Sequence, residues 1–569
     1  MQGKAREPDG SGSPGGRRGR AVSQPKGRQV EPEALADVCE TLGDRPRTRD
    51  LLIEHLHLIQ DRYRALAPAH LVALAHEMKL ALAEVYEVAT FYAHFDVLGD
   101  GEPAPPPVTV RVCDSVSCFL GGAEPLFEAL AGSPWSTVRV VRAPCMGRCD
   151  RAPVAVVGQH PIDHATAKSV AGAVREGRTE PALPEGPTIG FDEYVSGGGY
   201  RLLRDCREGR RSPDEITAAV DDSGLRGLGG AGFRSGQKWK LVRQAPGPRL
   251  VAINADEGEP GTFKDRHYLE SDPHRFLEGM LVAAWVIDAE DVYIYLRDEY
   301  PQVRLLLARE LARLGREGLT GPPRVHLRRG AGAYICGEET AMLESLEGKR
   351  GYPRQKPPFP TQVGLFGRPT LIHNVETVYW VRAIVERGPA WLAGEGRNGR
   401  TGLRSFSVSG RVKEPGVKLA PAGITARQLI DECCGGMLQG HTFKGYLPGG
   451  ASGGILPARL GDVPLDFGTL EPHGCFIGSA AVVVLSDRDD VRAVARNLMR
   501  FFADESCGQC TPCRCGTEKA VGLMGADTWD RPLLAELSAV MRDASICGLG
   551  QAAPNPLLCA LKYFPEELR

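Results

Sequence analysis

The chain has 569 residues, with 69 Lys and Arg against 71 Asp and Glu, for a formal net charge of −2. At ~150 residues per domain this length asks for three or four domains, and the balanced charge argues against a nucleic-acid binder held by a basic field. An apolar share of 42% suffices for globular cores, while no apolar run reaches the ~20 residues of a membrane helix; the longest, around 475–485, is about half that.

Residues 1–29 carry seven Lys or Arg, two acids and much Gly, Ser and Pro, the composition of a solvated, disordered basic tail. From 30 to 97 apolar residues recur at helical spacing (Leu51, Leu52, Leu56, Ile59, Tyr63, then Leu71, Leu74, Met78, Val85, Val88, Phe91), and Pro68 opens one helix. This predicts a helical bundle without the basic face of a DNA reader. After a Pro/Gly linker at 98–107, strands at 108–113, 137–141 and 154–157 alternate with helices at 124–131 and 165–175. Residues 106–180 thus have the proportions of a thioredoxin-like α/β domain. Residues 188–400 alternate strands (249–254, 292–296, 324–328) with helices and predict a larger α/β domain. Within 401–486, strands at 403–409 and 417–419, a helix at 425–434 stopped by Gly435-Gly436, and a strand at 442–447 suggest a β-grasp (ubiquitin-like) module. From 487 to 569 the period is helical, with Pro532 near a helix start, predicting a C-terminal helical bundle. The expected fold class is α/β multidomain.

Sixteen cysteines are too few for a disulfide scaffold, and eight fall into two tight groups. Without an apolar signal core at the start, clustered thiols read as metal or redox ligands in a reducing cytoplasm. Cys113 and Cys118 have four residues between them, Cys145 and Cys149 three, and 26 residues separate the pairs. Both pairs follow strand-like segments, so two loops can converge on one site. Four thiolates suit a 2Fe–2S cluster or zinc, although zinc knuckles favour two-residue spacing; unliganded core cysteines are the alternative. Cys507, Cys510 and Cys513 stand at two-residue intervals, with Cys547 after 33 more residues. A triplet with a remote fourth thiolate is 4Fe–4S ligation. Cys515, two residues beyond, is a competing ligand or a bystander.

Gly227, Gly229 and Gly232 match G-x-G-x-x-G, yet the preceding segment, 214–222, looks helical, so the dinucleotide fingerprint fails its structural context. What remains is a glycine loop opening a helix that contains Lys238, which is either a phosphate cradle or a tight turn. Strand 249–254 ends in Asn254, Asp256, Glu257 and Glu259, three acids beside two glycines. They either accept hydrogen bonds from ribose hydroxyls or line a solvated loop. Tyr334 leads Gly337, Glu338 and Glu339 into another helix, where capping alone would explain the two acids. Phe359, in a rigid Lys356-Pro-Pro-Phe-Pro run, could stack on a base or pack.

Together these residues resemble the NADH-oxidising module of respiratory complex I over roughly 31–569. The stretch at 84–95 (EVYEVATFYAHF) with the first cysteine quartet resembles the small 2Fe–2S subunit. GLRGLGGAGF, NADEGEPGTFKDR, GAYICGEETA, KPPFP, HNVET and SCGQCTPC resemble the flavoprotein subunit, so two subunits are fused here. The resemblance implies FMN and NAD(H) at one shared site. It implies flavin contacts at Gly227, Gly229, Gly230, Lys238, Asn254, Asp256, Gly337 and Asn374, with Gly232 in the same loop. The nucleotide side would be Phe233, Glu257, Glu259, Tyr334, Glu338, Glu339, Lys356 and Phe359, with Glu339 repelling the extra phosphate of NADP. Flavin would exchange a hydride with NAD(H) and pass single electrons to the clusters, so no side chain need act as acid or base. The chain departs from the family at Leu228 (usually arginine), Arg234-Ser235 (Pro-Thr), His373 (asparagine) and Cys515 (glutamate). The stretches EPHGCFIGSAAVVVLSDRDD at 471–490 and CGLGQAAPNP at 547–556, with the fusion, look most like the β subunit of cytoplasmic NAD-dependent, molybdenum- or tungsten-containing formate dehydrogenases. Complex I itself and the diaphorase half of NAD-reducing hydrogenases share the module. A large catalytic partner subunit with further redox centres is implied; nucleic acid and direct membrane insertion are not. A non-catalytic zinc scaffold is the competing class, separated by iron and flavin content.

Overall fold

In the computed structural model, residues 27–568 are described; most of the basic tail at 1–29 lies outside them. Four helices, Pro32–Leu42, Leu52–Tyr63, Pro68–Met78 and Leu82–Phe91, open the fold, two of them with proline in the first turn, where its missing N–H costs nothing. Their apolar stripes, including Val38, Leu56, Ile59, Leu74 and Val88, are fully buried.

The next sheet has the order β2-β1-β3-β4, with β1 Val108–Cys113, β2 Val138–Ala143, β3 Ala155–Val157 and β4 His160–Ile162. β1 and β2 run parallel, and β3 is antiparallel to both β1 and β4. Two features were not read from the sequence: β4, only three residues long, and the short helix Val116–Leu120 that carries Cys118.

The third unit is built on β5 Arg249–Ala255, β6 Ala289–Leu296, β7 Arg324–Arg329 and β8 Thr370–Asn374, in the order β7-β6-β5-β8. All pairs are parallel, and helices such as Pro273–Val286 and Pro301–Arg316 make the crossovers. The chain steps outward from β5 to β6 to β7 and then returns to the far side of β5. The switch point is therefore between β5 and β8, the crevice where open parallel sheets bind ligands.

A five-stranded sheet follows, ordered β10-β9-β13-β11-β12, from β9 Leu403–Gly410, β10 Gly416–Pro421, β11 Phe443–Leu447, β12 Leu456–Pro457 and β13 Ala481–Ser486. First and last strands are parallel neighbours and the other pairs antiparallel, which is β-grasp connectivity. The long apolar run resolves into β13, buried at every residue because it is the central strand. The single helix expected at 425–434 is instead a short α-turn, Ala426–Gln428, capped by Thr425 and continued as a π-turn, Leu429–Cys433. The C-terminal helices are Val491–Asp504, Thr511–Met524, Arg531–Ala544, Gly548–Ala552 and Asn555–Tyr563.

These units do not keep separate cores. One connected core joins the N-terminal helices, one face of the β5–β8 sheet (Leu250, Ala252, Tyr295, Ile372), the β-grasp sheet and the C-terminal helices. The opposite face of the β5–β8 sheet and the first sheet have cores of their own.

Candidate functional site

The glycine loop follows a helix, Pro213–Asp222, and leads into the helix Ser235–Gln244 that carries Lys238. It closes on itself through Gly227 N–H to Phe233 O (2.8 Å) and Gly232 N–H to Gly227 O (3.2 Å). A Cβ on Gly229 would stand 3.1 Å from the Asn374 Cβ, and one on Gly232 2.6 Å from the Phe467 ring. A Cβ on Gly230 would meet no protein atom closer than 3.8 Å. The loop thus lies against the end of β8, and its Gly230 side forms a cradle bounded by backbone.

Asn254 and Asn374 are register partners at the ends of β5 and β8, at the switch point. Asn254 Nδ2 donates to Gly337 O (2.8 Å), and its Oδ1 accepts from Asp256 N–H (3.0 Å). The Asp256 Oδ2 is shielded from solvent and has no hydrogen-bond partner among the described residues. Burial pushes this carboxyl well above its usual range. A buried acceptor without a donor is costly, and a hydroxyl-rich ligand supplies donors.

The remaining acids have distinct settings. Glu257 accepts from Asp265 N–H (2.8 Å), Arg266 N–H (3.1 Å) and the Tyr300 hydroxyl (2.9 Å). It therefore caps the helix Lys264–Ser271 with both oxygens engaged, and its carboxylate presents no free oxygen to a nucleotide. Glu259 accepts from the Tyr334 hydroxyl and from Ser452 N–H and Oγ, both at 2.7 Å. Glu338 caps the helix Glu339–Leu346 through Thr340 and Ala341 amides (2.8 and 3.0 Å). Lys356 bonds both Glu338 (2.9 Å) and Glu339 (2.8 Å), while Lys238 lies 3.4 Å from Glu339. Burial would raise the Glu339 carboxyl, but the two ammonium groups outweigh it and hold it below the ordinary value. Phe233 and Phe359 are each about half exposed.

Four positions were missed in the sequence. Lys264, 1% exposed, contacts Asp265 (2.8 Å), Glu376 (3.1 Å) and Asn374 Oδ1 (3.3 Å). Asp265 in turn accepts from Asn374 Nδ2, so this buried network sets the orientation of Asn374. Ser452 reaches Glu259 from a Gly-rich turn of the β-grasp unit. Arg297, just beyond β6, bridges two loops described below. The signal for Lys264 and Asp265 was their place in the NADEGEPGTFKDR stretch; Ser452 and Arg297 had none.

Cys113, Cys118, Cys145 and Cys149 are all buried. The Cys145 and Cys149 sulfurs are 3.4 Å apart, and Gly147 N–H points to the Cys145 sulfur at 3.4 Å. Hydrogen bonds from Cys113 and Cys149, with Arg297 nearby, hold the Cys145 thiol well below its ordinary value. In the second group Cys513 is buried, and Cys507, Cys510 and Cys547 are half-buried. Cys510 and Cys547 occupy the N-caps of two helices. Cys515 is exposed, on the helix Thr511–Met524. Among the described residues, the only trio of candidate ligand atoms within 4.8 Å is His57, His94 and Asp298. Both cysteine groups are all-thiolate donor sets, which suit an iron–sulfur cluster or a zinc ion. In the His57–His94–Asp298 trio, the Asp298 oxygens already meet His94 Nδ1 (2.5 Å) and Arg329, which ties the N-terminal helices to the β5–β8 unit.

The three neighbourhoods meet. A cavity of about 10 Å³, about the room of one water, is lined by Pro144 beside Cys145, by Glu505 near Cys507, and by Asp256, Gly258, Arg297, Glu299, Ala333 and Tyr334.

Residues 38–178 match the thioredoxin-like [2Fe-2S] ferredoxin family, 220–383 the Nuo51 FMN-binding domain, and 493–569 the iron-sulfur binding region of NADH-ubiquinone oxidoreductase-F. The F 2 polypeptide of the NADH-quinone oxidoreductase of Rhizobium meliloti is 44% identical over 400 residues, 68% of this chain and 94% of that one. The F polypeptide of the Aquifex aeolicus NADH-quinone oxidoreductase is 41% identical over 391 residues, 66% of this chain and 90% of its own. A chain from the structure of an NAD+-reducing [NiFe]-hydrogenase in the H2-reduced state superposes with a TM-score of 0.79 at 32% identity, covering 92% of both chains. No helix among the described residues is long and apolar enough to cross a membrane. The chain belongs to the complex I family of NADH-oxidising modules, as a flavoprotein of the NADH-quinone oxidoreductase F type with FMN and a 4Fe–4S cluster, fused to a thioredoxin-like 2Fe–2S domain.

Proposed function

We propose that this chain is the diaphorase subunit of a heteromeric NAD-dependent formate dehydrogenase, in which a large molybdenum- or tungsten-pterin subunit oxidises formate and NAD+ is reduced here. The observation that carries the electron-transfer part is the meeting of the two cysteine neighbourhoods and the β5/β8 crevice at one junction lined by Pro144, Asp256, Arg297 and Glu505. The half-buried Cys507, Cys510 and Cys547 leave the 4Fe–4S side open to a partner. The stretches at 471–490 and 547–556 and the fusion itself support the formate reading.

The flavin contacts we assign are the Gly227, Gly229, Gly230 and Gly232 loop, Lys238, Asn254, Asp256, Gly337 and Asn374. FMN held there would supply hydride exchange with NAD(H) and one-electron transfer. Loop amides and Lys238 would hold its phosphate, and Asp256 would meet its hydroxyls. Glu259, held by Tyr334 and Ser452, together with Glu338, Glu339 and Lys356, lines the nucleotide side, where Phe233 and Phe359 offer apolar platforms for a base. Glu257 contributes by fixing the loop that carries Asp256 and Glu259. Cys113, Cys118, Cys145 and Cys149 hold the 2Fe–2S cluster; Cys507, Cys510, Cys513 and Cys547 hold the 4Fe–4S cluster.

A second reading, the diaphorase subunit of an NAD-reducing hydrogenase, is favoured by the hydrogenase chain that covers both halves of the fusion. Affinity purification from the native cell with its partners, followed by metal analysis and NAD+ reduction assays, separates them. Molybdenum or tungsten with formate-dependent activity supports the first; nickel with hydrogen-dependent activity overturns it in favour of the second. Neither activity, with NADH oxidation by a quinone, points to complex I.

A further inference from the structure

Arg297 is 4% exposed and begins the loop after β6. One arm of its guanidinium donates from Nη2 to Cys145 O (2.5 Å) and the other from Nη1 to Glu257 O (2.5 Å). The two bonds span 152 and 40 residues of sequence, so one side chain ties the 2Fe–2S loop to the loop bearing Asp256 and Glu259. The other arginines at the cluster loop have their charge well matched. Arg266, which holds Gly147 O (2.8 Å), meets Asp150 (2.8 Å) and Glu270 (2.9 Å), and Arg148 meets Asp163 (2.7 Å). Arg297 has one carboxylate within 4 Å, Glu299 at 3.1 Å from Nε, while Asp256 and Glu505 line the same cavity farther off.

We propose that Arg297 sets the reduction potential of the 2Fe–2S cluster, with Glu299 as the counter-charge that limits its effect. One-electron reduction, with the electron supplied from NADH by way of flavin, adds one negative charge to the cluster and its four thiolates. A fixed, buried cation hydrogen-bonded to the carbonyl of a ligand cysteine stabilises the reduced form more than the oxidised form. Removing the cation lowers the potential, and removing the neighbouring anion raises it. Damage to packing alone has no reason to move the two variants in opposite directions. The inference rests on Cys113, Cys118, Cys145 and Cys149 as the cluster ligands.

The test is potentiometric titration followed by electron paramagnetic resonance on the full chain with both clusters loaded. Arg297→Met is expected to shift the 2Fe–2S midpoint to more negative values, Arg297→Lys to shift it less, and Glu299→Gln to shift it to more positive values. The 4Fe–4S signal of the same Arg297→Met sample serves as the reference and should move less. Should Arg297→Met fail to load its cluster, the sign in Glu299→Gln decides. A midpoint in Glu299→Gln that is unmoved or shifted to more negative values overturns the proposal, as does one in Arg297→Met that is unmoved or shifted to more positive values. A wild-type chain showing no 2Fe–2S signal overturns the ligand assignment instead.

Discussion

Replacing Lys264 with Met tests whether the buried charge network behind Asn374 holds the flavin side of the crevice. Lys264 is 1% exposed and lies between the carboxylates of Asp265 and Glu376, themselves 2% and 1% exposed. Burial alone would lower the Lys264 ammonium, but these carboxylates and Glu257 outweigh it and raise it above its ordinary value. Met fills a similar volume, so the change removes charge with little cavity. It leaves two carboxylates buried without their cation, which costs about 3–5 kcal/mol. At ~2–4 °C per kcal/mol for a unit of 150–250 residues, the β5–β8 unit should melt roughly 6–20 °C lower. Asn374 also loses the donor at 3.3 Å, so flavin content should fall with stability. Thermal release of flavin fluorescence reads both on the same sample. Neutralising all three positions (Lys264→Met, Asp265→Asn, Glu376→Gln) should recover much of the loss, since no charge is then left unpaired. A Lys264→Met protein melting within 2 °C of wild type, or a triple variant no better than the single one, would refute the account.

The other expectations are more local. Glu339→Ala removes the anion that Lys238 and Lys356 hold in place, and should narrow the preference for NADH over NADPH in kcat/KM by 5–30-fold, or about 1–2 kcal/mol; an unchanged ratio rejects its part in specificity. Burial, with Asp265 adding to it, lifts Glu257 to about 7, against ~4.3 unfolded. The folded chain thus holds a proton the unfolded chain lacks, and this contribution, full below pH ~4.3, is lost as pH rises through 7, by about 3–4 kcal/mol in all. Denaturation midpoints of Glu257→Gln should therefore fall less steeply than wild type between pH ~5 and ~8, and an identical slope counts against the shift. Cys515 is exposed where Cys507, Cys510, Cys513 and Cys547 are not, so Cys515→Ser should keep the 4Fe–4S resonance and Cys513→Ala should lose it; the reverse pattern would exchange their roles.

Much of the architecture was legible because it depends on near neighbours along the chain. Proline at helix starts, strand periodicity at β1 and β9, and the glycine stop at Gly435-Gly436 act within a few residues. The failure of the dinucleotide fingerprint was legible for the same reason: a helix, Pro213–Asp222, stands where a strand is required. Strand β13 was visible as an apolar run but not as a strand, since a central buried strand loses the alternation that would mark it. The π-turn at Leu429–Cys433 and the three-residue β4 leave too little pattern to read.

The amino-acid order by itself determined which thiols are available as cluster ligands, where the glycine loop opens its helix, and which acids line the end of β5. The tertiary structure alone decided how these parts are wired. Arg297 reaches Cys145 across 152 residues, Ser452 reaches Glu259 across 193, and Lys264 reaches Asn374 across 110. Periodicity records which face of an element is apolar. What a buried charge does depends on the charges packed against it, and those arrive from distant segments only when the chain has folded.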